Sequence, residues 1–480
     1  MLNNKIHYLT VFCMHFCCRY QKINNLMRLR QSIRGARFNF CTLLGGVALF
    51  CAVFLAGCGQ KEQESPAVPQ CGEGVQFEPV GSSFFSIGKL CGVDVAELRS
   101  VVGKDSLVHR YVMMDSAAAS LGTDLRRRGF PAEWLSAFVL RVPLRRVVAL
   151  STSQVGYLLR LGLRDNIIGV SDANYIVDSV LYYRTQRGSS SAQTAAVAGA
   201  PKFVESIGYD ADALEKLMAL SPDLIFDFTT GGDYDNYEQI ARTSLPLMLT
   251  SEWQEDSPLA KLEWIKLYGI LFGIRPLADS IYEDEKNKYE TLKKLIASSI
   301  TNDSINPKAT EGRDPIAHSP LPTSNFLPPT KHCPRVLAGM SYGGVWHASG
   351  GNSFTANLIR DAGGCYVWAA DTSRELAFSF EKIMALADSV DVWVNPSMFG
   401  NVDEMLALEP RIEKIKAFKE KQIFQNDGVK GIGAGNDFYE GAVTRPAELL
   451  WNLTKCINGT VPTVNSLDTS AKWYRNIYNF

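Results

Sequence analysis

The sequence predicts an α/β protein: two α/β lobes joined by one long helix, with a cleft between the lobes. Three observations predict it. The phrase Glu-Lys-(Leu/Ile)-Met-Ala-Leu runs from Glu215 to Leu220 and again from Glu381 to Leu386, each time ahead of an apolar, β-rich run. Short buried-strand runs alternate with helical stripes from Arg146 onward, and the alternation restarts at Arg335. Between the two series, Pro276 to Ser299 contains no glycine and carries Ile281, Tyr282, Tyr289, Leu292 and Leu295 on one side. As a helix this stretch reaches about 36 Å, enough to cross from one lobe to the other.

Charge and targeting narrow the class. Lys plus Arg total 49 against 50 Asp plus Glu in 480 residues, so nothing favours a nucleic-acid partner. Arg28, Arg30, Arg34 and Arg37 precede an uncharged run from Phe38 to Gly59. This is a basic region, an apolar region and a small-residue exit, so residues 1–57 read as an export signal, with Met27 as a candidate start. An uncleaved anchor is the alternative, since the run is long enough to span a membrane. Beyond Cys58, Cys71, Cys91, Cys333, Cys365 and Cys456 form an odd set without CxxC, which indicates neither a zinc site nor a full disulfide framework. A Cys71–Cys91 bridge stays open.

Residues 58–145 read as a polar tether, Gln60 to Gln70, followed by an N-terminal extension packed on the first lobe. Strand hints lie at Phe84-Phe85, Tyr111 to Met114 and Phe138 to Leu140. The first lobe is expected over 146–274. Val147 to Leu150 is a strand, Val155, Leu158 and Leu159 give a helical stripe, and Ile167 to Val170 is the next strand, a parallel βαβ unit. The first phrase follows, with Leu214, Leu217 and Met218 as its inward stripe; then come a helix near 234–242 and a strand at Pro246 to Leu249. The connecting helix is expected over 275–300 and a mobile proline-rich loop over 301–334.

The second lobe, 335–480, repeats the grammar. Val336 to Ala338 is a strand, a Gly-rich turn follows, Phe354 to Ala362 is a helix and Cys365 to Trp368 a strand. The second phrase places Phe380, Ile383 and Met384 inward. A helix near 402–418, a strand at Gln422 to Phe424 and a closing helix from Val443 to Ile457 complete it.

Leu55-Ala56-Gly57-Cys58 resembles the lipobox of bacterial lipoproteins, which implies lipidation of Cys58. Arg146-Val-Val-Ala-Leu-Ser151, Leu161-Gly-Leu163 with Ile168-Gly-Val170, Leu214-Glu-x-x-x-x-Leu-x-Pro-Asp-Leu-Ile225, Asn357-Leu-Ile-x-x-Ala-Gly-Gly364 and Phe380-Glu381 stand in the order found in one family. Over 146–457 the chain resembles the periplasmic binding proteins that serve ABC importers of ferric siderophores, haem and cobalamin. The resemblance implies a small closure on binding, restrained by the long helix, and one permease-docking glutamate per lobe, Glu215 and Glu381. Helix capping is the competing reading of both: Asp212 to Glu215 fits a capping box, and Glu381 stands two residues after Ser379 at a helix start.

Chemistry is sparsely signalled. Gly431-Ile-Gly-Ala-Gly435 sits too late for a dinucleotide fingerprint and reads as a cleft loop whose glycines let the backbone approach a ligand. His109, His318, His332 and His347 do not make a histidine-rich zinc site, and no spacing marks a nucleophile, so neither cofactor nor catalysis is expected. Ligands of open α/β sheets bind beyond the strand C-termini. The aromatic residues that follow predicted strands are therefore candidate ligand contacts: Tyr175, Tyr234 and Tyr237 in the first lobe; Tyr342, Trp346, Trp368, Phe399, Phe438 and Tyr439 in the second. Asn352, Asn436, Asp437 and Arg445 are the polar candidates.

The expected protein is a monomeric, exported, lipid-anchored solute-binding protein with an ABC permease and its ATPase as partners and a metal chelate or tetrapyrrole as ligand. Two other readings remain. One is an exported tetrapyrrole- or metal-cluster-handling enzyme using Cys365 and His347; the other is a surface haem or glycan receptor with no importer.

Overall fold

Two parallel sheets, one per lobe, form from the apolar runs that the sequence marks. The computed structural model describes residues 71, 74–103, 105–186, 203–208, 210, 212–232, 235, 237–302, 333–397, 399–464, 467–470 and 472–479. The export signal, Cys58, the tether, Tyr234 and most of the proline-rich loop lie outside them. Among the described residues no helix is long and apolar enough to cross a membrane.

In lobe one, Val147–Ala149 is central. Leu224–Asp227 lies on one side and Ile167–Val170 on the other, with Leu247–Leu249 and Glu205–Ser206 at the edges, all parallel. The strands are buried on both faces, which is why they read as continuous apolar runs. The first phrase becomes the helix Ala213–Leu220. Its inward stripe is Ala213 and Leu217, while Met218 is left 49% exposed because it lies three residues beyond Glu215 on the outer flank.

Lobe two repeats the pattern with Arg335–Ala338 between Cys365–Tyr366 and Val392–Val394, followed by Ile423–Gln425 and an antiparallel edge, Arg475–Asn476. Its second phrase forms the short helix Phe380–Met384, with Phe380 and Ile383 fully buried. A three-stranded antiparallel sheet, Met340–Tyr342, Val345–Ser349 and Glu375–Ser379, stands where the sequence shows only a Gly-rich turn.

The N-terminal extension is an antiparallel meander, Gln76–Phe77, Phe85–Leu90, Val93–Val102 and Asp105–Met114, joined by the parallel strand Phe138–Arg141. Its two faces separate with the period of a strand. Phe85, Ile87, Leu98, Tyr111 and Met113 enter the lobe-one core with Trp264 and Tyr268. Val95, Val112 and Met114 pack instead against Leu125, Phe130 and Trp134 of the segment before Phe138–Arg141.

Two disulfides form, Cys71–Cys91 and Cys333–Cys365, and among the described residues Cys456 is left as a free thiol. An odd cysteine count thus did accommodate a two-bridge framework. It also removes Cys365 as a free metal ligand.

One helix belongs to both cores. Arg275–Asn302, 28 residues and about 42 Å long, buries Ala278 and Tyr282 with lobe one and Tyr289, Leu292 and Ile296 with lobe two. The Tyr289 hydroxyl donates to Asp361 at 2.7 Å and Lys293 pairs with the other oxygen of Asp361 at 3.0 Å, which locks the helix onto the second lobe. Leu292→Ala is expected to destabilise lobe two by about 3 kcal/mol, since a fully buried leucine is removed without a group to fill the space. Calorimetric unfolding checks it, and an unchanged transition would show that the helix is not part of that core.

Candidate functional site

The C-terminal ends of the two parallel sheets face one another across a cavity of about 520 Å3. Lobe one contributes Ser151, Thr152 and Ser153, which start the helix after Val147–Ala149, and Trp253 and Lys261 beyond Leu247–Leu249. Lobe two contributes Asn395 after Val392–Val394, Asn426 after Ile423–Gln425, and Phe354, Phe438 and Tyr439. The wall is aromatic, with hydroxyls and amides between the rings. Trp253 and Tyr439 are 41% and 49% exposed, so their faces are open to an occupant.

Several contacts set this wall. Ser151 and Gln154 form a capping box, which fixes the start of Thr152–Arg160. Ser153 donates from its hydroxyl to Glu252 at 2.5 Å. On the other lobe, the Phe438 backbone N–H donates to Asn436 Oδ1 at 3.0 Å, and the Trp473 indole donates to Asp437 at 2.8 Å. These bonds hold the loop that carries Phe438 and Tyr439.

The same loop joins the lobes behind the cavity. A Cβ at Gly431, Gly433 or Gly435 would sit 2.6, 2.5 or 2.6 Å from a backbone oxygen of Ile176, Asn174 or Tyr175. The Ala434 N–H donates to the Asn174 carbonyl at 2.7 Å. These glycines serve a close approach of backbone to backbone between the lobes.

Glu440 completes this junction. It is buried and accepts from the Val177 and Asp178 N–H groups of the other lobe, both at 2.9 Å. Burial pushes its carboxyl up to about 7 against the two hydrogen bonds. Nearby, Arg160 of lobe one pairs at 2.9 Å with the buried Glu285 of the connecting helix. Burial, and then Glu448 of the closing helix Pro446–Asn458, raise Glu285 to about 7.

The sequence-derived candidates separate into groups. Phe438 and Tyr439 line the cavity. Asp437 and Arg445 line a second inter-lobe cavity of about 320 Å3 with Arg160, Arg164 and Glu440. Tyr175 is exposed at the turn that meets the glycine loop, and Asn436 lies at the other end of that contact. Trp346 is fully buried, its indole donating to the Ala338 carbonyl at 3.0 Å and its ring 5.3 Å from Trp393. Trp368 packs on Phe378 and Phe399 joins the same core. Tyr237 meets His109 of the N-terminal sheet at 3.1 Å, while Tyr342 and Asn352 are exposed on lobe two.

Sequence reasoning passed over Ser151, Ser153, Trp253, Lys261, Phe354, Asn395 and Asn426. The signal for three of these was present: Ser151, Asn395 and Asn426 stand at the ends of the runs read as strands.

The two phrase glutamates differ. Asp212 makes no side-chain capping bond, so the capping box expected there does not form, and exposed Glu215 has no hydrogen bond or ion pair to a described residue. Glu381, with its side chain 74% exposed, is held below the usual range first by its own backbone N–H, then by Ser379, and less by Arg411 at 3.2 Å. Arg411 is itself held by Glu409 at 2.7 and 2.8 Å.

No protein-family model matches the chain. An uncharacterized lipoprotein of Methanocaldococcus jannaschii is 21% identical over 294 residues, and the match spans only 60% of either chain. The solved structures that the chain resembles include periplasmic binding proteins. A periplasmic haem binding protein from Pseudomonas aeruginosa is 17% identical with a TM-score of 0.46, over 70% of this chain and 99% of that one. An ABC-type Fe3+-hydroxamate transport system from Saccharomonospora viridis is 17% identical at 0.43, over 66% and 94%. The periplasmic vitamin B12 binding protein of Vibrio cholerae is 12% identical at 0.41, over 66% and 97%.

The Glu440 carboxyl leads to a pH expectation. An unfolded glutamate ionises near 4.5 and the folded one near 7, so between these values only the folded state keeps the proton. Stability should therefore fall as pH rises from about 4.5 to 7 and level out above, by up to roughly 3 kcal/mol for this group. Glu440→Gln should flatten the profile by up to one proton. Thermal unfolding across that range reads it, and an unchanged slope would count against the buried acid.

Proposed function

We propose that the chain is a solute-binding protein of an ABC importer, which captures a ferric siderophore, haem or corrinoid in the inter-lobe cavity and delivers it to the permease. The observation that carries this reading is the cavity itself. Both its walls are built from strand C-termini, where open α/β sheets take ligands, and its lining offers aromatic faces with fixed polar groups between them. In this reading the protein does no chemistry, is tethered through lipid on Cys58 outside the cytoplasm, acts as a monomer, and depends on the permease and its ATPase to release its cargo.

Glu215 and Glu381 are the proposed docking points, one on each lobe. Support comes from their place at the same point of the repeated phrase and from their exposure. Glu215 also has exposed Met218 beside it at i+3, so a permease would meet a free carboxylate next to an apolar contact. At Glu381 an incoming arginine competes with Arg411, so lobe two should contribute less to docking.

Reversing both charges, Glu215→Lys with Glu381→Lys, is expected to abolish uptake in whole cells while ligand affinity of the purified protein stays within about twofold, since neither residue lines the cavity. Uptake that survives the double reversal would favour an importer-independent receptor.

A further inference from the structure

The cavity wall is unbalanced in charge. Among the described residues lining it, Lys261 is the one basic side chain, and none is a carboxylate. A cavity that offers aromatic rings, neutral amides and hydroxyls, and a single cation has a definite preference among ligands.

Lys261 is held in place from behind. It lies on the helix Pro258–Glu263, and its backbone carbonyl accepts from the hydroxyl of fully buried Tyr157. Two residues on, Glu263 is buried and engaged by the Gly81 N–H at 2.6 Å and by Lys266 at 2.8 Å. The Lys261 side chain leaves this anchored turn toward lobe two, where its ammonium lies 4.6 Å from the centre of the Phe354 ring. That contact offsets part of the cost of burying the charge.

No acceptor in the described residues takes the ammonium. The carboxylates whose charge it feels are Glu252 and Glu255. Glu252 accepts from the Ser153 hydroxyl, and Glu255 from the Trp264 indole at 2.8 Å and from Ser82. Burial lowers Lys261 below the ordinary lysine range and outweighs the pull of both glutamates.

We propose that Lys261 is the specificity-determining contact of the cavity, and that the cargo carries a carboxylate or similar oxyanion which pairs with its ammonium while a flat face lies against the aromatic wall. The inference rests on the solute-binding reading above and narrows it from chelates and tetrapyrroles in general to those with an anionic edge. The exposed rings of Trp253 and Tyr439 supply the flat contact, and Asn395 and Asn426 remain for neutral donors and acceptors on the cargo.

The test uses hemin, whose two propionates give a flat ring an anionic edge, beside hemin dimethyl ester, the same ring with both carboxylates masked. Cyanocobalamin and an uncharged ferric hydroxamate complete the panel. Binding is measured by titration calorimetry for the wild type, Lys261→Met and Lys261→Arg. The wild type should prefer hemin over its ester by roughly tenfold or more, the weight of a charge-assisted hydrogen bond. Lys261→Met should erase that preference, and Lys261→Arg should keep it. Equal binding of hemin and ester by the wild type would overturn the proposal, as would a Lys261→Met protein that keeps the preference. Binding of cyanocobalamin or the neutral hydroxamate without hemin would overturn it and leave the solute-binding reading standing. If none of the four binds to the wild type, both fall together.

Discussion

The arrangement of the cavity depends on a junction in which the two lobes touch through backbone. Gly431, Gly433 and Gly435 lie against the carbonyls of residues 174–176, and Glu440 reaches across to two N–H groups of the opposite lobe. A Cβ at any of these three glycines would press on that backbone, and loss of the Glu440 acceptors would leave part-buried donors unpaired. Phe438 and Tyr439 follow directly from this contact, so the aromatic wall inherits its position. The helix Arg275–Asn302 adds a second constraint, because its two halves are packed into different cores and neither half can leave without opening one of them.

That construction suits a protein that holds a ligand between lobes without large motion. The junction sits behind the cavity, and the cavity walls project from strand ends that are themselves buried on both faces. Buried acids collect at the same place. Glu440, Glu285 and Glu448 lie on a loop, the connecting helix and the closing helix, and burial raises all three above the ordinary glutamate range. The lobes are thus joined by groups whose charged form is disfavoured by burial.

Much of the fold was legible because buried parallel strands and amphipathic helices leave strong local patterns. Val147–Ala149, Ile167–Val170, Leu224–Asp227 and Val392–Val394 all form within runs marked by composition alone. The hairpin sheet at Met340–Ser349 was not legible, since its glycines signal a turn without showing that the flanks pair. Site residues were harder, for a physical reason. Trp346 follows a strand, as a cleft aromatic would, but the chain turns back at Gly343 and Gly344 and carries the ring into the core, where Ala338 accepts its N–H. Tyr237 is taken up by His109 from a sheet far away in sequence. Side-chain direction after a strand is set by such long-range contacts. Strand ends themselves are local, which is why Ser151, Asn395 and Asn426 could have been found and Lys261 could not.

The central claim is that ligand is held between the lobes by strand ends of both. Hydrogen–deuterium exchange, with and without the chelate or tetrapyrrole that most raises the unfolding temperature, tests it most directly. The account predicts protection at 151–153, 253–261, 395–397 and 438–439 together, with residues 174–178 and 431–435 unchanged because the junction does not open. Protection confined to one lobe or to the N-terminal sheet, or deprotection at the junction, would contradict it.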